Sequence, residues 1–276
     1  PANWMGGDFA GLTQKIEEGY FTDLGINALW ISAVNDNPNG CYVGELGYQY
    51  TSYHGYFPIS LDQTEDHFGT IDELKALVQA AHRRGIRVIM DLAANHVHEE
   101  SPLWTDHKDW FFGNLLLCED ADHWDTHPID CWFQPYLPDL DYRNNDAVNA
   151  MTDAAIEWVR VADFDGFRVD AVKHMVHNFG RTLRHKVRTQ LQNSGVPFYL
   201  VGETFVGDWG GGTGLNETLI KDYISDRELN GQFDFPLYWE IVKVLARGEG
   251  DTGRMARLAE VASQSLTYYG TNAIMS

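Results

Sequence analysis

Asp165-Gly-Phe-Arg-Val-Asp-Ala-Val-Lys-His174 is the segment from which the architecture of this chain follows. Apolar and charged residues alternate along it, as they do in a strand whose side chains point to opposite faces in turn. Phe167 and Val169 then point to one face and Arg168 and Asp170 to the other, where the guanidinium would keep the carboxylate ionised. A lone Arg–Asp pair is more often structural than catalytic. The segments around it decide between these two interpretations.

The composition is that of a folded, acidic protein. The chain has 276 residues, enough for one large domain or for a barrel of roughly 250 residues. Hydrophobic residues make up 44% and aromatic residues 13%, which excludes a disordered chain. The net charge of −20 argues against a nucleic-acid partner, because phosphates would be repelled. No apolar run reaches the roughly 18 residues of a transmembrane helix, so no membrane partner is expected.

Strand and helix patterns alternate along the chain. Helices are predicted over 12–24, 70–84, 146–162, 178–193 and 252–266, and strands over 28–34, 87–93, 165–173, 198–203, 232–236 and from 272. Such alternation predicts an α/β fold with a parallel sheet and right-handed crossovers. Asp91, Asp170 and Glu203 end three different strands, and in a closed barrel these ends form one rim. We therefore predict a (β/α)8 TIM barrel.

Two long segments interrupt this alternation. Residues 35–62 form a loop rich in Gly, Tyr and Asn, and residues 95–144 show no sustained period. An insertion as long as the second segment is either a functional loop or a small subdomain. Two of the three cysteines, Cys118 and Cys131, lie within it. Their spacing leaves a disulfide and a pair of free thiols equally open.

The carboxylates of the predicted rim are suited to cleaving a glycosidic bond. Asp170 and Glu203 follow neighbouring strands, so that one could attack the anomeric carbon while the other protonates the departing oxygen. Arg168 should keep Asp170 anionic as a nucleophile requires. The apolar run before Glu203 should desolvate its carboxyl and raise its pKa, as an acid requires. The structural alternative is that the two acids belong to unrelated ion pairs.

Other polar residues near the predicted rim could bind a sugar or a cation. Asn95 and Asp139 offer oxygen ligands of the kind that calcium prefers. His96 could hydrogen-bond a sugar hydroxyl, and Tyr53-His54-Gly-Tyr56 offers aromatic faces and a donor for a pyranose. Taken singly, such Asn and His residues more often cap loops, and such tyrosines more often pack.

In their order along the chain, these segments resemble the alpha-amylase family of glycoside hydrolases. The matching segments are Tyr53-His-Gly-Tyr56, Asp91-Leu-Ala-Ala-Asn-His96, Leu137-Pro-Asp-Leu-Asp141, Gly166-Phe-Arg-Val-Asp-Ala-Val-Lys-His174 and Gly202-Glu203. The resemblance implies a retaining mechanism in which Asp170 is the nucleophile, Glu203 is the general acid/base and Arg168 orients Asp170. It also implies substrate contacts, at the cleavage point from His54, Tyr56 and His96, and on the aglycone side from Lys173 and His174.

The same resemblance implies a metal site and a domain plan. Asn95, Asp139 and the backbone carbonyl of His174 would ligate a structural calcium ion. A disulfide between Cys118 and Cys131 gains support, because some fungal relatives have a similarly spaced pair. The domain plan is a barrel part with strands two and three, a B domain inserted after the third strand, and a barrel part from strand four to the start of strand seven, over 1–96, 97–144 and 145–276.

The chain also departs from the family pattern. The third catalytic carboxylate of the family, an Asp on the seventh strand, has no counterpart here, because the sequence reaches only the start of that strand. The first strand, the eighth strand and the C-terminal sandwich are missing too. We therefore expect a segment of a longer polypeptide. Phe57-Pro58 stands where many relatives have an aromatic followed by polar residues.

The function that we expect is retaining cleavage of α-1,4-glucosidic bonds in starch-like glucans or malto-oligosaccharides, because Lys173-His174 resembles the α-1,4-acting members. Two alternatives stay open. One is an α-glucan transglycosylase, including the cyclodextrin-forming kind. The other, which applies if the chain truly ends at Ser276 without the third carboxylate, is a non-catalytic glucan-binding barrel. A disulfide, a calcium site and a polymeric substrate together predict an extracellular or periplasmic location. The sequence does not predict the oligomeric state.

Overall fold

A parallel five-stranded sheet is the centre of the computed structural model of the chain, which describes residues 3–44, 47–120, 122–192, 197–208, 215–250 and 252–269. The strands in the described ranges are β1 Ala28–Ile31, β2 Cys41–Val43, β3 Gln49–Thr51, β4 Arg87–Leu92, β5 Gly166–Val169, β6 Tyr199–Gly202 and β7 Gly231–Gln232. The sheet has the order β1-β4-β5-β6-β7 with every neighbouring pair parallel. Strands β2 and β3 form a separate antiparallel hairpin.

Helices connect the strands of the sheet. The α-helices of the described ranges are α1 Phe9–Glu17, α2 Tyr20–Asp23, α3 Ile71–Arg83, α4 Pro102–Asp106, α5 His123–Thr126, α6 Asn145–Ala162, α7 His177–Lys186, α8 Leu215–Asp222, α9 Phe235–Ile241 and α10 Thr252–Tyr269. Short turns of 3₁₀- or π-helix lie at Lys108–Trp110, Val172–His174, Val187–Leu191 and Val242–Ala246. In the part of the chain that the structure describes, no helix is long and apolar enough to cross a membrane.

The main apolar core lies between the sheet and the crossover helices, and it fixes the register of the strands. Its fully buried members include Leu77, Val88, Met90, Ile156, Phe167, Leu183 and Leu200. Burying one such side chain stabilises a fold by about 1.5–3 kcal/mol. The resulting register sets Asp91 opposite Arg168, and Val169 opposite Gly202. The residues that follow β5 and β6 therefore emerge side by side.

The start of α3 is as predicted. Thr70 and Glu73 form a capping box, in which the backbone N–H of Thr70 donates to Glu73 Oε2 at 2.8 Å and the backbone N–H of Glu73 donates to Thr70 Oγ1 at 3.3 Å. This arrangement satisfies two backbone donors that the first helical turn leaves free. The helix is followed by Gly85 at φ 71°, a left-handed conformation that glycine adopts without steric cost.

Two predicted elements are interrupted by left-handed residues. The predicted strand over 165–173 ends at Val169, because Ala171 adopts φ 49° and the chain then turns into a 3₁₀-helix. The predicted helix over 12–24 is two helices, separated where Gly19 adopts φ 86°. Hydrophobic periodicity reports which face is buried, and it carries little information about a single residue that reverses the backbone.

Other expectations about strands were also wrong. Strand β1 is shorter than the predicted 28–34, and Trp30 within it is 47% exposed. Only Gly231–Gln232 of the segment around the predicted strand 232–236 is extended. Asp234 accepts a hydrogen bond from the N–H of Leu237 and caps α9, whose first turn contains Pro236, a residue that the N-terminus of a helix tolerates. The strand expected from 272 lies outside the described residues.

The insertion between β4 and α6 is built from short elements. It contains α4, the 3₁₀ turn Lys108–Trp110 and α5, and a disulfide joins Cys118 to Cys131. The question that the spacing left open is thus answered in favour of a bridge. Isolated bridges pair His96 with Asp139 and Phe111 with Leu140, so the two ends of the insertion lie beside each other. The division into barrel segments and a B domain stays a prediction.

Candidate active site

Three carboxylates surround one buried guanidinium at the carboxyl ends of β4, β5 and β6. Arg168 Nη1 lies 2.9 Å from Asp91 Oδ1 and 2.5 Å from Asp170 Oδ1, while Nη2 lies 2.7 Å from Glu203 Oε2. The Arg168 side chain is only 4% exposed. The three acids that the sequence placed at strand ends therefore do converge on one rim, as the barrel prediction required.

Negative charge is in excess in this cluster, and the clearest effect is on the pKa of Asp170. Burial raises the pKa of Asp170 to about 7; Arg168 opposes this shift, and the neighbouring carboxylates of Glu203 and Asp91 add to it. Burial also raises the pKa of Asp91, against the effect of Arg168. Arg168 therefore favours the anionic form of Asp170, as expected, but less strongly than the sequence suggested, because one guanidinium is shared among three carboxylates.

Glu203 lies in a less apolar place than the sequence suggested. Its side chain is 25% exposed, whereas that of Asp170 is 13% exposed. The apolar residues before Glu203 belong to β6 and pack into the core, while the carboxyl lies beyond the strand end and pairs with Arg168. The more desolvated member of the pair is thus Asp170, the reverse of the expected order.

Tyr56, His54 and His96 lie together beside the carboxylates. Tyr56 Oη donates to Asp91 Oδ2 at 2.8 Å, and the backbone N–H of Tyr56 donates to His54 Nδ1 at 3.0 Å. His96 Nε2 donates to the carbonyl of Tyr56 at 2.9 Å. Burial lowers the pKa of both histidines to about 4, so that both are neutral at neutral pH. Neutral imidazoles can hydrogen-bond hydroxyl groups without adding charge to the cluster.

A cavity of about 1000 Å³ opens over Asp170. The hairpin wall, which we define as the cavity-lining residues of 48–54, is mainly aromatic and comprises Tyr48, Gln49, Tyr50, Tyr53 and His54. The insertion wall comprises Cys118, Glu119, Asp122, Trp124, Phe133, Gln134 and Leu137. The remaining lining residues, which we call the floor, are Tyr56, Phe57, His96 and Asp170. This volume is at the upper end of pockets that bind ligands, and aromatic walls suit the apolar faces of sugar rings.

Lys173 and His174 are not among the residues that line this cavity. Lys173 Nζ lies 2.6 Å from Asp125 Oδ1 of the insertion, and the Lys173 side chain is 4% exposed. His174 Nδ1 donates to the carbonyl of Pro128 at 2.7 Å, also in the insertion. Both residues therefore attach the insertion to the segment that follows Asp170.

Asn95 and Asp139 have the features of cation ligands. Asn95 Nδ2 donates to Asp139 Oδ1 at 2.6 Å, and both residues are almost completely buried. Asn95 Oδ1 and Asp139 Oδ2 have no hydrogen-bond partner among the described residues. Buried oxygens without partners are costly, and a hard cation such as calcium would satisfy them. The two side chains therefore fit a calcium ion, while the contribution of the His174 carbonyl stays a prediction.

Trp30 belongs to this site and was missed in the sequence. Trp30 Nε1 donates to Asp91 Oδ2 at 3.2 Å, and the Arg168 guanidinium lies 5.1 Å from the centre of its ring. Phe233 also faces the guanidinium, at 5.7 Å. The only signal was the position of each aromatic in or next to a predicted strand. Nothing in the sequence indicated that both aromatic rings would lie close to Arg168.

Comparisons with known proteins agree with this fold. Residues 2–200 match the family profile described as "Alpha amylase, catalytic domain". The crystal structure of an alpha-amylase from Geobacillus thermoleovorans complexed with acarbose superposes with a TM-score of 0.79 at 29% identity, and the match covers 100% of this chain and 56% of that chain. The predicted TIM-barrel class is thereby confirmed, with this chain supplying part of the barrel.

Two curated relatives match at the level of sequence. Alpha-amylase 3 of Schizosaccharomyces pombe is 33% identical over 187 residues, which are 64% of this chain and 32% of that protein. The cyclomaltodextrin glucanotransferase of Paenibacillus macerans is 30% identical over 284 aligned positions, which cover 96% of this chain and 37% of that protein. The chain thus spans only about a third of the length of these relatives.

Proposed function

The chain belongs to the alpha-amylase family, and on this premise we propose that its rim cleaves α-1,4-glucosidic bonds in starch-like glucans or malto-oligosaccharides with retention of configuration. The observation that carries the proposal is the fork of Arg168, which holds Asp170 and Glu203 on its two terminal nitrogens. A retaining glycosidase needs two carboxyl groups that are close together and flank the scissile bond. The cavity over Asp170 supplies space for the sugar chain.

In the proposed mechanism each carboxyl has one role. Asp170 attacks the anomeric carbon, the bond to the glycosidic oxygen breaks, and Glu203 gives its proton to that oxygen. Glu203 then takes a proton from water, which attacks the same carbon and releases Asp170. Because the cluster holds three carboxylates and one guanidinium, it retains a proton more readily than isolated carboxyls do.

Residues of the floor would position the sugar at the cleavage point. His54, Tyr56 and His96 are held by hydrogen bonds to one another and to Asp91, so that little ordering is left for substrate binding. Their donors and acceptors would engage hydroxyl groups next to Asp170. Lys173 would act on the aglycone side through the insertion to which it is attached.

Asn95 and Asp139 would hold a calcium ion that stabilises the junction between β4 and the insertion. Such an ion supplies positive charge to buried oxygens, and its role would be structural, since neither residue lines the cavity. A chelator should lower the melting temperature of wild-type protein, and added calcium should restore it. Asp139→Asn should abolish this calcium response, whereas Asp141→Asn, which removes a partner of exposed Arg143, should retain it. A full calcium response in Asp139→Asn would contradict the assignment.

The function is tested by measuring the reducing ends that the protein, at its natural full length, releases from soluble starch. Glu203→Gln should reduce turnover by roughly 10²–10⁴-fold, because it removes the proton donor. Glu157→Gln, an exposed position on α6 that pairs with Arg160, should match the wild type. Starch binding without release of reducing ends by the wild type would favour the non-catalytic glucan-binding alternative.

Transglycosylation is a second candidate, supported by the cyclomaltodextrin glucanotransferase that matches 96% of the chain. A covalent sugar on Asp170 can be transferred to another sugar as well as to water. Chromatography of the products would separate the two outcomes, since transfer yields longer or cyclic glucans with few reducing ends. The Cys118–Cys131 disulfide supports an extracellular or periplasmic location, because disulfides persist in oxidising compartments.

A further inference from the structure

We propose that Cys118, Cys131 and His174 form a metal site that binds a soft divalent cation such as Zn²⁺ when the disulfide is reduced. In the oxidised protein the two sulfurs are bonded to each other, so neither is a thiolate, the form that binds a metal. When a thiol reductant breaks this bond, three donor side chains remain at one place. The inference does not depend on the proposed function.

The two sulfurs and a ring nitrogen of His174 lie close together. All three atoms are within 4.8 Å of one another, and all three side chains are buried. Around a tetrahedral zinc ion, with bonds of about 2.3 Å to sulfur and about 2.0–2.1 Å to nitrogen, the ligand atoms are roughly 3.5–3.8 Å apart. The nitrogen is therefore within roughly 1 Å of the separation that such a site requires.

The hydrogen bond made by His174 leaves one ring nitrogen available as a ligand. Nδ1 donates to the carbonyl of Pro128 at 2.7 Å, which leaves the lone pair on Nε2. Histidines that bind metals commonly have this arrangement, because an outer carbonyl fixes the ring and its tautomer. Nε2 is buried and has no hydrogen-bond partner among the described residues. A disulfide has no hydrogen to donate to this lone pair, whereas a cation would satisfy it.

The site can be reached from solvent, and its imidazole is held in place. Cys118 lines the cavity over Asp170, which gives a reductant and a cation a route to the sulfurs. The rings of Trp124 and Phe133 pack against the ring of His174, with centres 4.3 and 4.8 Å away, and restrict its rotation. Water from the cavity could complete the tetrahedron as the fourth ligand, as it does where a protein supplies only three.

The chemistry of the donor set selects the cation. Two thiols of the reductant pass two electrons to the disulfide and become a disulfide themselves, while their protons go to the two cysteines. The cation then replaces these two protons, which pass to solvent, and its oxidation state does not change. Thiolate and imidazole ligands bind Zn²⁺ and Co²⁺, whereas Ca²⁺ prefers oxygen. A calcium ion at Asn95 and Asp139 would therefore not compete for this site.

A bound ion would replace the disulfide and also connect it to the barrel. The disulfide joins two points of the insertion, whereas an ion would join both of them to His174, four residues after Asp170. An ion that binds the folded chain and not the unfolded chain stabilises the fold. The insertion would thus stay attached beside the proposed active site in the presence of thiols.

Co²⁺ tests the site directly, because its tetrahedral thiolate complexes absorb visible light. The protein at its natural full length would be reduced with dithiothreitol in excess calcium, and the reductant then removed. Alkylation and mass spectrometry would verify that Cys118 and Cys131 are free. On reduction the protein should gain one Co²⁺ with the thiolate spectrum, and Zn²⁺ should displace it. Zn²⁺ should also restore the melting temperature that reduction lowers.

Three variants assign the ligands. Cys131→Ser and His174→Gln should each weaken Co²⁺ binding by more than the roughly 10–100-fold that the loss of an outer partner costs. Cys41→Ser, which removes an exposed free cysteine, is the matched control and should bind as the wild type does. The comparison of oxidised and reduced wild type does not depend on the folding of any variant.

Three results would overturn the inference. One is the same Co²⁺ spectrum in the oxidised and reduced protein, and another is unchanged affinity in His174→Gln. The third is a disulfide that dithiothreitol does not reduce in the folded protein. Because none of these measurements uses a glucan, loss of the proposed function would be detected separately, as an absence of starch hydrolysis.

Discussion

The segment around β5 carries an aspartate at each end, and the two aspartates have opposite balances of hydrogen-bond donors and acceptors around them. Asp165, before the strand, accepts hydrogen bonds from His82 Nε2 at 2.8 Å, Arg87 Nη1 at 2.6 Å and the backbone N–H of Val88 at 2.8 Å. Hydrogen-bond donors are therefore in excess around Asp165. Asp170, after the strand, shares a single guanidinium with two other carboxylates, so that acceptors are in excess.

This difference distinguishes the amino end of β5, which stabilises the fold, from its carboxyl end, where the proposed reaction takes place. A carboxylate with three donors lowers the free energy of the folded state, since each charge-assisted hydrogen bond is stronger than a neutral one. Asp170, which competes with other carboxylates for one counter-ion, does not stabilise the folded state in this way. Its pKa is raised instead. The amino ends of barrel strands generally serve stability and the carboxyl ends catalysis, and the hydrogen bonding at the two ends of this segment agrees with that division.

The largest expected effect is on turnover. Asp170→Asn should reduce starch hydrolysis by roughly 10⁴-fold, because it removes the proposed nucleophile. Asp165→Asn should leave kcat within about twofold of the wild type in the fraction that is folded, since Asp165 lies at the other end of the strand. Initial rates on soluble starch measure both values. A comparable loss in the two variants would remove the functional difference between the strand ends.

For the free energy of unfolding, the order of the same two variants should be reversed. Asp165→Asn should lower the free energy of unfolding by about 1–3 kcal/mol, because His82 and Arg87 lose a charged acceptor. Asp170→Asn should be at least as stable as the wild type at neutral pH, because it removes one of three competing carboxylates. Urea unfolding at one pH compares them, and strong destabilisation by Asp170→Asn would contradict the excess of acceptors.

The difference in stability between Asp170→Asn and the wild type should depend on pH. Since the pKa of Asp170 is about 7 in the folded protein and about 4 when unfolded, the folded state binds more protons between these values. Wild-type protein therefore loses stability as pH rises through this window, and the asparagine variant, which keeps only the raised pKa of Asp91, should lose less. The difference in free energy should be small near pH 4 and reach roughly 2–4 kcal/mol at pH 8. A difference that is constant with pH would show that Asp170 titrates normally.

A smaller effect concerns the acid limb of the pH–activity profile. The profile of kcat/KM reports groups of the free enzyme, so the limb should show an apparent pKa near that of Asp170, about 7. Asp91→Asn removes a negative neighbour that raises the pKa of Asp170, so its limb should move to lower pH, together with a lower maximum rate. A limb that stays in place would mean that Asp91 has no electrostatic effect on Asp170.

Much of the fold could be predicted from the sequence because its signals are local. The capping box of Thr70 and Glu73 and the alternation along β5 depend on residues a few positions apart. The three rim acids could be predicted as well, because each ends a recognisable strand. Ala171 is different, since a single left-handed residue leaves no periodic signal and yet ends the strand before the predicted point.

The electrostatics of the site could not be predicted, because they depend on distances between strands. The sequence placed Arg168 next to Asp170 and gave no indication that Asp91 and Glu203 would share the same guanidinium. Lys173 was expected to face the substrate, and its partner Asp125 lies 48 residues away in a segment without periodicity. Pairings of this kind become visible only when the insertion is folded against the barrel.

The most direct test of the account is to identify the carboxyl that becomes attached to the sugar. The protein at its natural full length would be treated with an activated fluoro-sugar that forms the glycosyl-enzyme and slows its hydrolysis. Mass spectrometry of the digested protein would then locate the modification. We predict a sugar ester on Asp170. A sugar attached to Glu203, or to a carboxylate away from Arg168, would contradict the assignment of the nucleophile and the proposed mechanism.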